Sequence, residues 1–561
     1  MTAPVSRRGF VGSAAAAVAG LAAGRPPRVV AAPAFDLVIR GGTLLDGTGA
    51  PAFPADVGLV GDAIAALGEI APEQARRVLD AAGLHVAPGF IDIHTHSDPE
   101  VLAYPTADSR ALQGVTTELA GNCGSSAAPL AGRGVAERIA EWKRDGIAAD
   151  WTDVSSYLDR VEKAGTSVNH ALLAGHGTLR SSAVGDVDRA LSAEEARAVA
   201  RALEEALDQG AFGLSTGLEY VPGRYTPTAE IAALARLVAR RGGLYASHIR
   251  NEEARLLEAV AEAIEVGRAS GARVEIAHLK AAGESNWPKQ GAALDLVESA
   301  RRDGVAVLAD AYPYTAYSTG LTTFMEGWAR EGGTDAMLAR FRDKEARARI
   351  AREVEAQVRV DPGSWERVVV SRVRTERNRA ATVGRSLVEI GASWGLDPVD
   401  AYLRLLEEEE TAVSFVGHGM SPENVEKVLR HPLVMIGSDG SSMAPVGEAA
   451  KARPHPRSYG TFPRVLGFYA RERGLFDLPT AVRKMTSLPA DQVGLADRGR
   501  LARGKKADLV VFDAARVRDT ATFDDPHRYP EGIVHVLVNG AAVVERGKHT
   551  GARPGRVLRK A

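Results

Sequence analysis

The stretch Gly89–Asp98, with the sequence GFIDIHTHSD, decides how the rest of the chain is interpreted. It ends a short apolar run with two imidazoles, His94 and His96, two positions apart. In a β-strand that spacing places both rings on one face. The carboxyl ends of parallel barrel strands are where catalytic side chains collect. The stretch therefore predicts a metal-binding strand end, although taken alone it fits two ordinary polar residues equally well.

The size and charge of the chain favour a two-domain protein that acts on a small molecule. Its 561 residues suffice for a barrel of about 250 residues or more, with insertions and a companion module. Lys and Arg number 69 against 71 for Asp and Glu, so no global field attracts nucleic acid or an anionic membrane. The single cysteine, Cys123, excludes an intramolecular disulfide.

The first 33 residues have the pattern of an export signal. Ser6–Phe10, SRRGF, precedes an alanine-rich stretch over residues 13–23, and small residues suited to cleavage lie at Ala31 and Ala32. This pattern predicts a twin-arginine signal peptide and a periplasmic or secreted protein, with an uncleaved alanine-rich tail as the alternative. No stretch is long and apolar enough for a membrane span, so we expect no integral membrane segment.

Both ends of the remaining chain are predicted to be rich in β-structure. Short alternating runs and glycine turns fill residues 34–88, beginning with Phe35–Arg40. Similar runs occur in residues 485–561, at Ala507–Asp513 and Gly532–Gly540. Neither end is large enough for its own core. We therefore expect the two ends to form one small β-sandwich that frames the middle of the chain.

Residues 89–484 alternate apolar runs with amphipathic helical runs, which is typical of an α/β fold with a parallel sheet or barrel. The fold prediction is a (β/α)8 TIM-like barrel. The clear strands after the first are Val115–Ala120, Val168–Gly175, Ala211–Gly217, Leu244–His248, Arg273–His278, Val305–Asp310 and Leu433–Ser438. Thr411–Val416 is one candidate too many. Residues from about 321 to 368 break the alternation and are expected to be a lid-like insertion.

Six side chains that bind metals or protons share one placement, at or just past the end of an apolar strand. They are His94, His96, Cys123, His248, His278 and Asp439. A thiolate with two imidazoles suits Zn²⁺ and leaves a fourth position for water, as in catalytic zinc sites. The alternative for Cys123 is a buried packing role. Its glycine-rich neighbours indicate a loop and argue against that alternative.

Several motifs together resemble one known family. They are GFIDIHTH at 89–96, GNCG at 121–124, the strand-end His248 and His278, YPY at 312–314, IGSDG at 436–440, HPR at 455–457 and GKKADLV at 504–510. This combination is similar to the D-aminoacylase (N-acyl-D-amino-acid deacylase) family of the amidohydrolase superfamily. The resemblance extends from about Asp36 to the C-terminus.

The resemblance implies zinc-dependent hydrolysis of the amide bond of N-acyl-D-amino acids, which releases a carboxylic acid and a D-amino acid. It implies one tight zinc held by Cys123, His248 and His278, and a weaker second metal near His94 and His96. It also implies that Asp439 is the catalytic base and acid. The chemistry is consistent, because zinc lowers the pKa of a bound water to about 7 and a nearby carboxylate can take its proton.

For the free carboxylate of the substrate, the resemblance implies Tyr312, Ser318 and Arg457. The guanidinium of Arg457 has the planar fork that pairs with a carboxylate. Lys280 is expected to contact the substrate or a ligand, with a surface lysine as the alternative. The segment between Asp439 and Arg457 departs from the family pattern. It is longer and carries SSMAP at residues 441–445, which leaves the acyl and side-chain preferences open.

Two further residues and two alternative functions are compatible with the sequence. His176 and Glu219 either line the mouth of the site or have structural roles. Between His96 and His248 the only lysines are Lys143 and Lys163, in charged helical surroundings, which disfavours a carboxylated lysine that bridges metals. The alternatives are another amidase, such as a D-dipeptidase or a cyclic-amide hydrolase, and a periplasmic metal or solute binding protein, which would not need the strand-end aspartate.

Overall fold

The structure, a computed structural model, describes residues 34–132, 135–359 and 364–560. The predicted export signal, residues 1–33, lies outside this part of the chain. Within it, no helix combines the length and the apolar character needed to cross a bilayer.

Eight parallel strands form a closed barrel, which confirms the predicted fold class. They are Phe90–Asp92, Val115–Ala120, Asn169–Leu172 continued by Ala174–Gly175, Gly213–Gly217, Leu244–His248, Arg273–Ile276, Val307–Ala311 and Val434–Ile436. The barrel closes where the eighth strand meets the first, since the Asp439 amide donates to the carbonyl of His94 at 2.9 Å. A parallel bridge between Thr95 and Gly440 extends this closure.

Amphipathic helices pack around the barrel. Ala193–Asp208 shows why they form: Ser192 accepts from the Glu195 amide at its start, and the buried Val199, Leu203 and Leu207 follow at helical spacing. The helices of the barrel region are Glu100–Ala103, Asp108–Ala111, Val135–Arg144, Val154–Ala164, His176–Val184, Ala193–Asp208, Thr228–Arg240, Leu256–Ser270, Gln290–Arg302, Pro422–Arg430, Arg457–Arg464, the π-helix Val465–Glu472, Leu478–Met485 and Ser487–Val493.

The surplus strand candidate lies outside the barrel. Its observed form, Ser414–Gly417, pairs antiparallel with Tyr317–Gly320 and Val368–Arg372 in a small sheet. This sheet brackets an insertion with its own apolar core, and its helices are Gly327–Arg330, Gly333–Arg342, Lys344–Arg359, Ser364–Arg367, Glu376–Thr382, Leu387–Trp394 and Pro398–Glu408. The insertion therefore runs from about 317 to 417, beyond the expected 321–368. Its second half alternates helix and strand as barrel units do, so periodicity alone could not separate the two.

The two chain ends share one nine-stranded sheet. Its strands are Phe35–Leu44, Phe53–Val60, Ala63–Gly68, Ala75–Asp80, His85–Pro88, Leu509–Phe512, Ile533–Val538, Ala541–Glu545 and Lys548–His549. The ends join where His85–Pro88 pairs antiparallel with Leu509–Phe512. Apolar side chains from both ends, such as Leu37, Val57 and Leu509, form a common core.

The last residues of the chain run along the amino end of the barrel. The amides of Gly555 and Leu558 donate to the carbonyls of Thr166 and His170 at 2.7 and 2.8 Å. Thr166 lies just before the third barrel strand and His170 is the second residue of that strand. The tail therefore supports the barrel at the end opposite to the predicted site.

Candidate active site

Three of the predicted functional residues at the strand ends have unusual backbone dihedral angles. Cys123, His278 and Asp439 have φ angles of 51°, 36° and 51°, in the left-handed region that non-glycine residues rarely adopt. Each such residue costs on the order of 1–3 kcal/mol and persists where the surrounding structure enforces it, commonly at active sites. The fold therefore fixes the directions of three functional side chains at once.

Cys123, His248 and His278 are brought together at the carboxyl end of the barrel, with ligand atoms within 4.8 Å of one another. Cys123 Sγ lies 3.5 Å from His278 Nε2, and His248 Nδ1 lies 2.9 Å from the same nitrogen. A thiol and two imidazole nitrogens facing one point are a donor set that fits Zn²⁺. These are the three residues expected to hold the tight metal.

A second group overlaps the first and shares its cysteine. Ligand atoms of His94, His96, Cys123 and Asp439 also lie within 4.8 Å of one another. Cys123 Sγ is 3.3 Å from His94 Nε2, and His96 Nε2 is 2.9 Å from Asp439 Oδ1. The residues expected to hold the second metal thus lie directly beside those expected to hold the first, and Cys123 belongs to both groups.

The surroundings of Cys123 favour its thiolate form. Burial raises the pKa of the thiol, but the facing imidazoles of His94, His248 and His278 outweigh burial and hold the pKa well below its ordinary value. The thiolate is the form that binds metals. Charge and geometry therefore agree on a ligand role for the only cysteine of the chain.

Each of three histidines is held from behind by a carboxylate. His94 Nδ1 lies 3.2 Å from Asp310 Oδ2. His248 Nε2 lies 2.9 Å from Glu219 Oε2. His278 Nδ1 lies 2.9 Å from Glu252 Oε1. Such partners fix the orientation of an imidazole that binds metal.

Sequence reasoning had missed two of these carboxylates. Asp310 lies in the barrel strand Val307–Ala311, so the strand-end rule could have found it. Glu252 lies four residues beyond His248 in an irregular segment and carries no comparable signal. For Glu219 the sequence allows either a position at the mouth of the site or a structural role. In the structure Glu219 lines the main chamber.

Asp439 lies between the metal ligands and a guanidinium. Its Oδ1 is 2.9 Å from His96 Nε2 and 3.4 Å from His94 Nε2, and its Oδ2 is 2.7 Å from Arg457 Nη1. Burial raises the pKa of Asp439, but Arg457, His94 and His278 outweigh it and hold the pKa well below its usual range. The same contacts therefore favour the carboxylate form of Asp439 beside the expected metal position.

The expected substrate anchors also lie together. The guanidinium of Arg457 stacks 4.9 Å above the Tyr312 ring and donates from Nη2 to the Ser318 carbonyl at 3.2 Å. The Tyr312 hydroxyl is buried and has no hydrogen-bond partner among the described residues. Lys280 is not a surface lysine, because it is buried and donates to Glu252 Oε1 at 2.6 Å.

Two cavities open on either side of Asp439 and Arg457. The main chamber, of about 440 Å³, is lined by the tight ligand set and by insertion residues such as Tyr317 and Phe324. The second chamber, of about 210 Å³, lies against the loop before Arg457. His176 does not line either chamber, and burial together with Arg180 lowers its pKa to about 3, which favours the structural role.

Neither candidate lysine is near the metal position. Lys143 lies on the helix Val135–Arg144 and Lys163 on the helix Val154–Ala164, both exposed. A carboxylated lysine bridge of the kind found in other members of the superfamily therefore has no candidate in this interval. Cys123 is instead the residue that the two ligand groups share.

The amidohydrolase family model matches residues 77–544 of the chain. The chain belongs to the amidohydrolase family. Within this family it is similar to the D-aminoacylases. N-acyl-D-glutamate deacylase from Alcaligenes xylosoxydans xylosoxydans is 40% identical over 94% of this chain and 97% of that protein.

Two solved amidohydrolase structures are each 37% identical to this chain over 94% of its length. A D-aminoacylase is 37% identical, with a TM-score of 0.78 over 94% of this chain and 100% of that one, and its study concerns a binuclear metal centre with one-metal activation and second-metal attenuation. N-acyl-D-glutamate deacylase from Bordetella bronchiseptica, in complex with zinc and a phosphonate inhibitor, is 37% identical, with a TM-score of 0.80 over 94% and 99%. One tight and one weaker metal position, as expected, are consistent with the two overlapping ligand groups.

In this amidohydrolase the insertion contacts the segment beside His248, one of the expected metal ligands. Arg330, which is buried, donates from Nη2 to the carbonyl of Glu219 at 3.0 Å. The hydroxyls of Tyr220 and Thr319 lie 3.1 Å apart, and the Tyr220 ring packs 4.6 Å from the ring of His248. Two insertion residues thus hold the segment that orients His248.

Replacing Arg330 by methionine should lower the zinc affinity by up to about 10- to 100-fold, the usual cost of losing the hydrogen-bond partner of a metal ligand, because Arg330 holds Glu219, the partner of His248. Competition with a chromogenic chelator measures this affinity. The milder Thr319→Val removes only the hydroxyl contact and should lower the affinity less.

The matched control for this experiment is Glu326→Gln. It breaks the Arg224–Glu326 ion pair of 2.9 Å between the same two segments but does not touch Glu219. Thermal unfolding of the metal-free variants shows whether each is folded. Unchanged zinc affinity in folded Arg330→Met and in Thr319→Val would contradict the positioning role.

Proposed function

We propose that this protein is a zinc-dependent N-acyl-D-amino-acid deacylase. It hydrolyses a linear amide and releases a carboxylic acid and a D-amino acid. The observation that carries the proposal is the position of Asp439, with one carboxylate oxygen against the histidines of the metal group and the other against Arg457. Asp439, the proposed proton acceptor, thus contacts both the proposed metal-binding histidines and Arg457, the proposed carboxylate anchor.

When bound, zinc supplies an activated water and polarises the amide carbonyl. Asp439 accepts the proton of the attacking water and returns it to the leaving nitrogen, so that a hydroxyl is added to the acyl carbon and a hydrogen to the amine. Positioned proton transfer of this kind is worth about 10²- to 10⁴-fold in rate. A metal or solute binding protein would need no ionised carboxylate at this place.

The α-carboxylate of the substrate is proposed to bind at Arg457 and the Tyr312 hydroxyl. Arg457 Nη1 is close to Asp439 but makes no well-aligned hydrogen bond there, and the Tyr312 hydroxyl has no partner among the residues described. Arg457 lines both chambers and can therefore donate to another acceptor, and the Tyr312 ring packs against its guanidinium from outside the described chamber lining. Lys280, with its ammonium 5.7 Å from the centre of the Tyr312 ring, adds positive charge beside the anchor.

Hydrolysis should be strongly selective for the D-enantiomer. The carboxylate anchor and the metal position fix two points of the substrate, so the side chains of the two enantiomers point in different directions. The kcat/KM for N-acetyl-D-leucine and for N-acetyl-L-leucine measures this selectivity. Equal rates for the two enantiomers would contradict the assignment.

Replacing Arg457 by alanine should lower kcat/KM far more for substrates with a free α-carboxylate than for their α-carboxamide analogues. A desolvated guanidinium that loses its charged partner costs several kcal/mol. The kcat/KM for N-acetyl-D-leucine and for its α-carboxamide, in wild type and Arg457→Ala, gives the two ratios. If the substitution weakens acid and amide by equal factors, Arg457 is not the anchor.

We also propose that the protein is exported by the twin-arginine pathway to the periplasm or beyond. The support is the sequence SRRGF at Ser6–Phe10 ahead of an alanine-rich run. This pathway carries folded proteins, which suits an enzyme that takes up its metal before export. Replacing both Arg7 and Arg8 by lysine should retain the protein in the cytoplasm, as measured by cell fractionation. If the variant is distributed between the fractions as the wild type is, the proposal is contradicted.

A further inference from the structure

Similarity alone does not decide which D-amino acids this enzyme accepts. The chain is 37% identical both to a D-aminoacylase and to an N-acyl-D-glutamate deacylase of known structure. A glutamate-type substrate carries a second carboxylate in its side chain, and a site that accepts it needs a cation for that group. The charges that line the two chambers bear on this choice.

Each described cation of the main chamber is either hydrogen-bonded to the protein or assigned to the α-carboxylate of the substrate. Lys280 donates to Glu252 at 2.6 Å, and Arg457 lies 2.7 Å from Asp439. Both lie at the catalytic centre, where Arg457 is assigned to the α-carboxylate. Arg138, the other cation of this chamber among the described residues, donates to the Ser126 carbonyl at 2.5 Å.

The wall that the insertion adds to the main chamber is uncharged. It consists of side chains such as Tyr317, Thr323, Phe324 and Gln357. Glu253 also lines this chamber, and its carboxyl group accepts from the Asn251 amide at 2.8 Å. A substrate side chain that extends toward the insertion thus meets neutral groups and a carboxyl group.

The second chamber is acidic. Its one cation apart from Arg457, among the residues that the structure covers, is Arg372, which pairs with Asp145 at 2.8 Å. Glu448 and Glu100 also line it. Burial, with Asp98 and Asp145 nearby, raises the pKa of Glu100 to about 8, so the surroundings of this group disfavour its negative charge.

We infer that this deacylase acts on N-acyl-D-amino acids with uncharged side chains and discriminates against side chains that carry a carboxylate. The described lining of the two chambers contains eight carboxyl groups against four lysine and arginine side chains, and carboxyl groups outnumber cations in each chamber. It rests on the proposed deacylase function and specifies its substrate class.

The test compares two substrates of nearly equal shape, N-acetyl-D-glutamine and N-acetyl-D-glutamate, with the zinc-loaded full chain. The glutamine substrate should have a kcat/KM at least about 100-fold higher, because like-charge contact in a partly desolvated site is strongly unfavourable. Equal or faster hydrolysis of the glutamate substrate would overturn the inference while leaving the deacylase function intact. If none of the three substrates, including N-acetyl-D-leucine, is hydrolysed, the proposed function fails and the inference fails with it.

Two variants test whether charge is the reason. Asp145→Asn removes the partner of Arg372 in the second chamber, and Gln357→Lys adds a cation to the main chamber. One of them should raise the glutamate-to-glutamine ratio of kcat/KM about tenfold or more, and that variant identifies the chamber that holds the side chain. The control Glu531→Gln breaks the exposed Arg518–Glu531 pair and should leave the ratio unchanged. If neither chamber variant raises the ratio, charge does not set the preference and the inference fails.

Discussion

Replacement of Asp439 by asparagine should lower kcat by a factor of about 10² to 10⁴ or more, because the amide has the shape of the carboxylate but cannot take a proton. The fold and the tight metal should be retained. Asp439 belongs to the second ligand group and not to the set of Cys123, His248 and His278.

Single-turnover and steady-state rates, with zinc content measured on the same sample, check this expectation. A matched control is Asp519→Asn, which removes a carboxylate from a similar arginine pair, Arg464–Asp519 at 2.9 Å. That variant should keep its kcat. A near-normal kcat in Asp439→Asn would move the catalytic base to another residue.

Replacement of Cys123 by alanine should abolish tight zinc binding and with it all activity. The sulfur faces both imidazoles of the tight set and also His94, so its loss removes a ligand from each metal position. Alanine at this position meets the same φ of 51° as cysteine, so the substitution adds no backbone strain of its own. The effect can therefore be assigned to the missing thiolate.

Metal analysis after exhaustive dialysis gives the zinc content of wild type, Cys123→Ala and His94→Ala. The His94 variant should lose activity with zinc largely retained, since His94 belongs to the second group and not to the set of Cys123, His248 and His278. Equal zinc content in wild type and Cys123→Ala would contradict the ligand assignment.

The barrel and the cluster of ligands were predictable because each ligand follows a strongly patterned strand. Val115–Ala120 and Leu244–His248 begin and end where the sequence predicted. Parallel strands meet at one rim, so residues that are far apart in sequence, such as His94 and Asp439, are close in space. The positions of the strands in the sequence were therefore enough to predict which of these residues lie close together.

What the sequence did not reveal depends on contacts between segments that have no local signal. Glu252 orients His278 from an irregular loop, and Arg330 reaches Glu219 from the insertion. The strand Ser414–Gly417 has the length and composition of a barrel strand, and only its antiparallel partners exclude it from the barrel. Pairing direction is a tertiary property, so periodicity could not decide it.

The joined chain ends set the timing of folding during protein synthesis. The strand His85–Pro88 finds its partner Leu509–Phe512 only after residues 89–508 have been made, and the amides of Gly555 and Leu558 reach the barrel later still. A nascent chain on the ribosome therefore lacks its closing strand and its C-terminal support until translation is nearly over. Ribosome-stalled chains that end before Leu509 should be digested rapidly by protease, whereas the released full chain should resist.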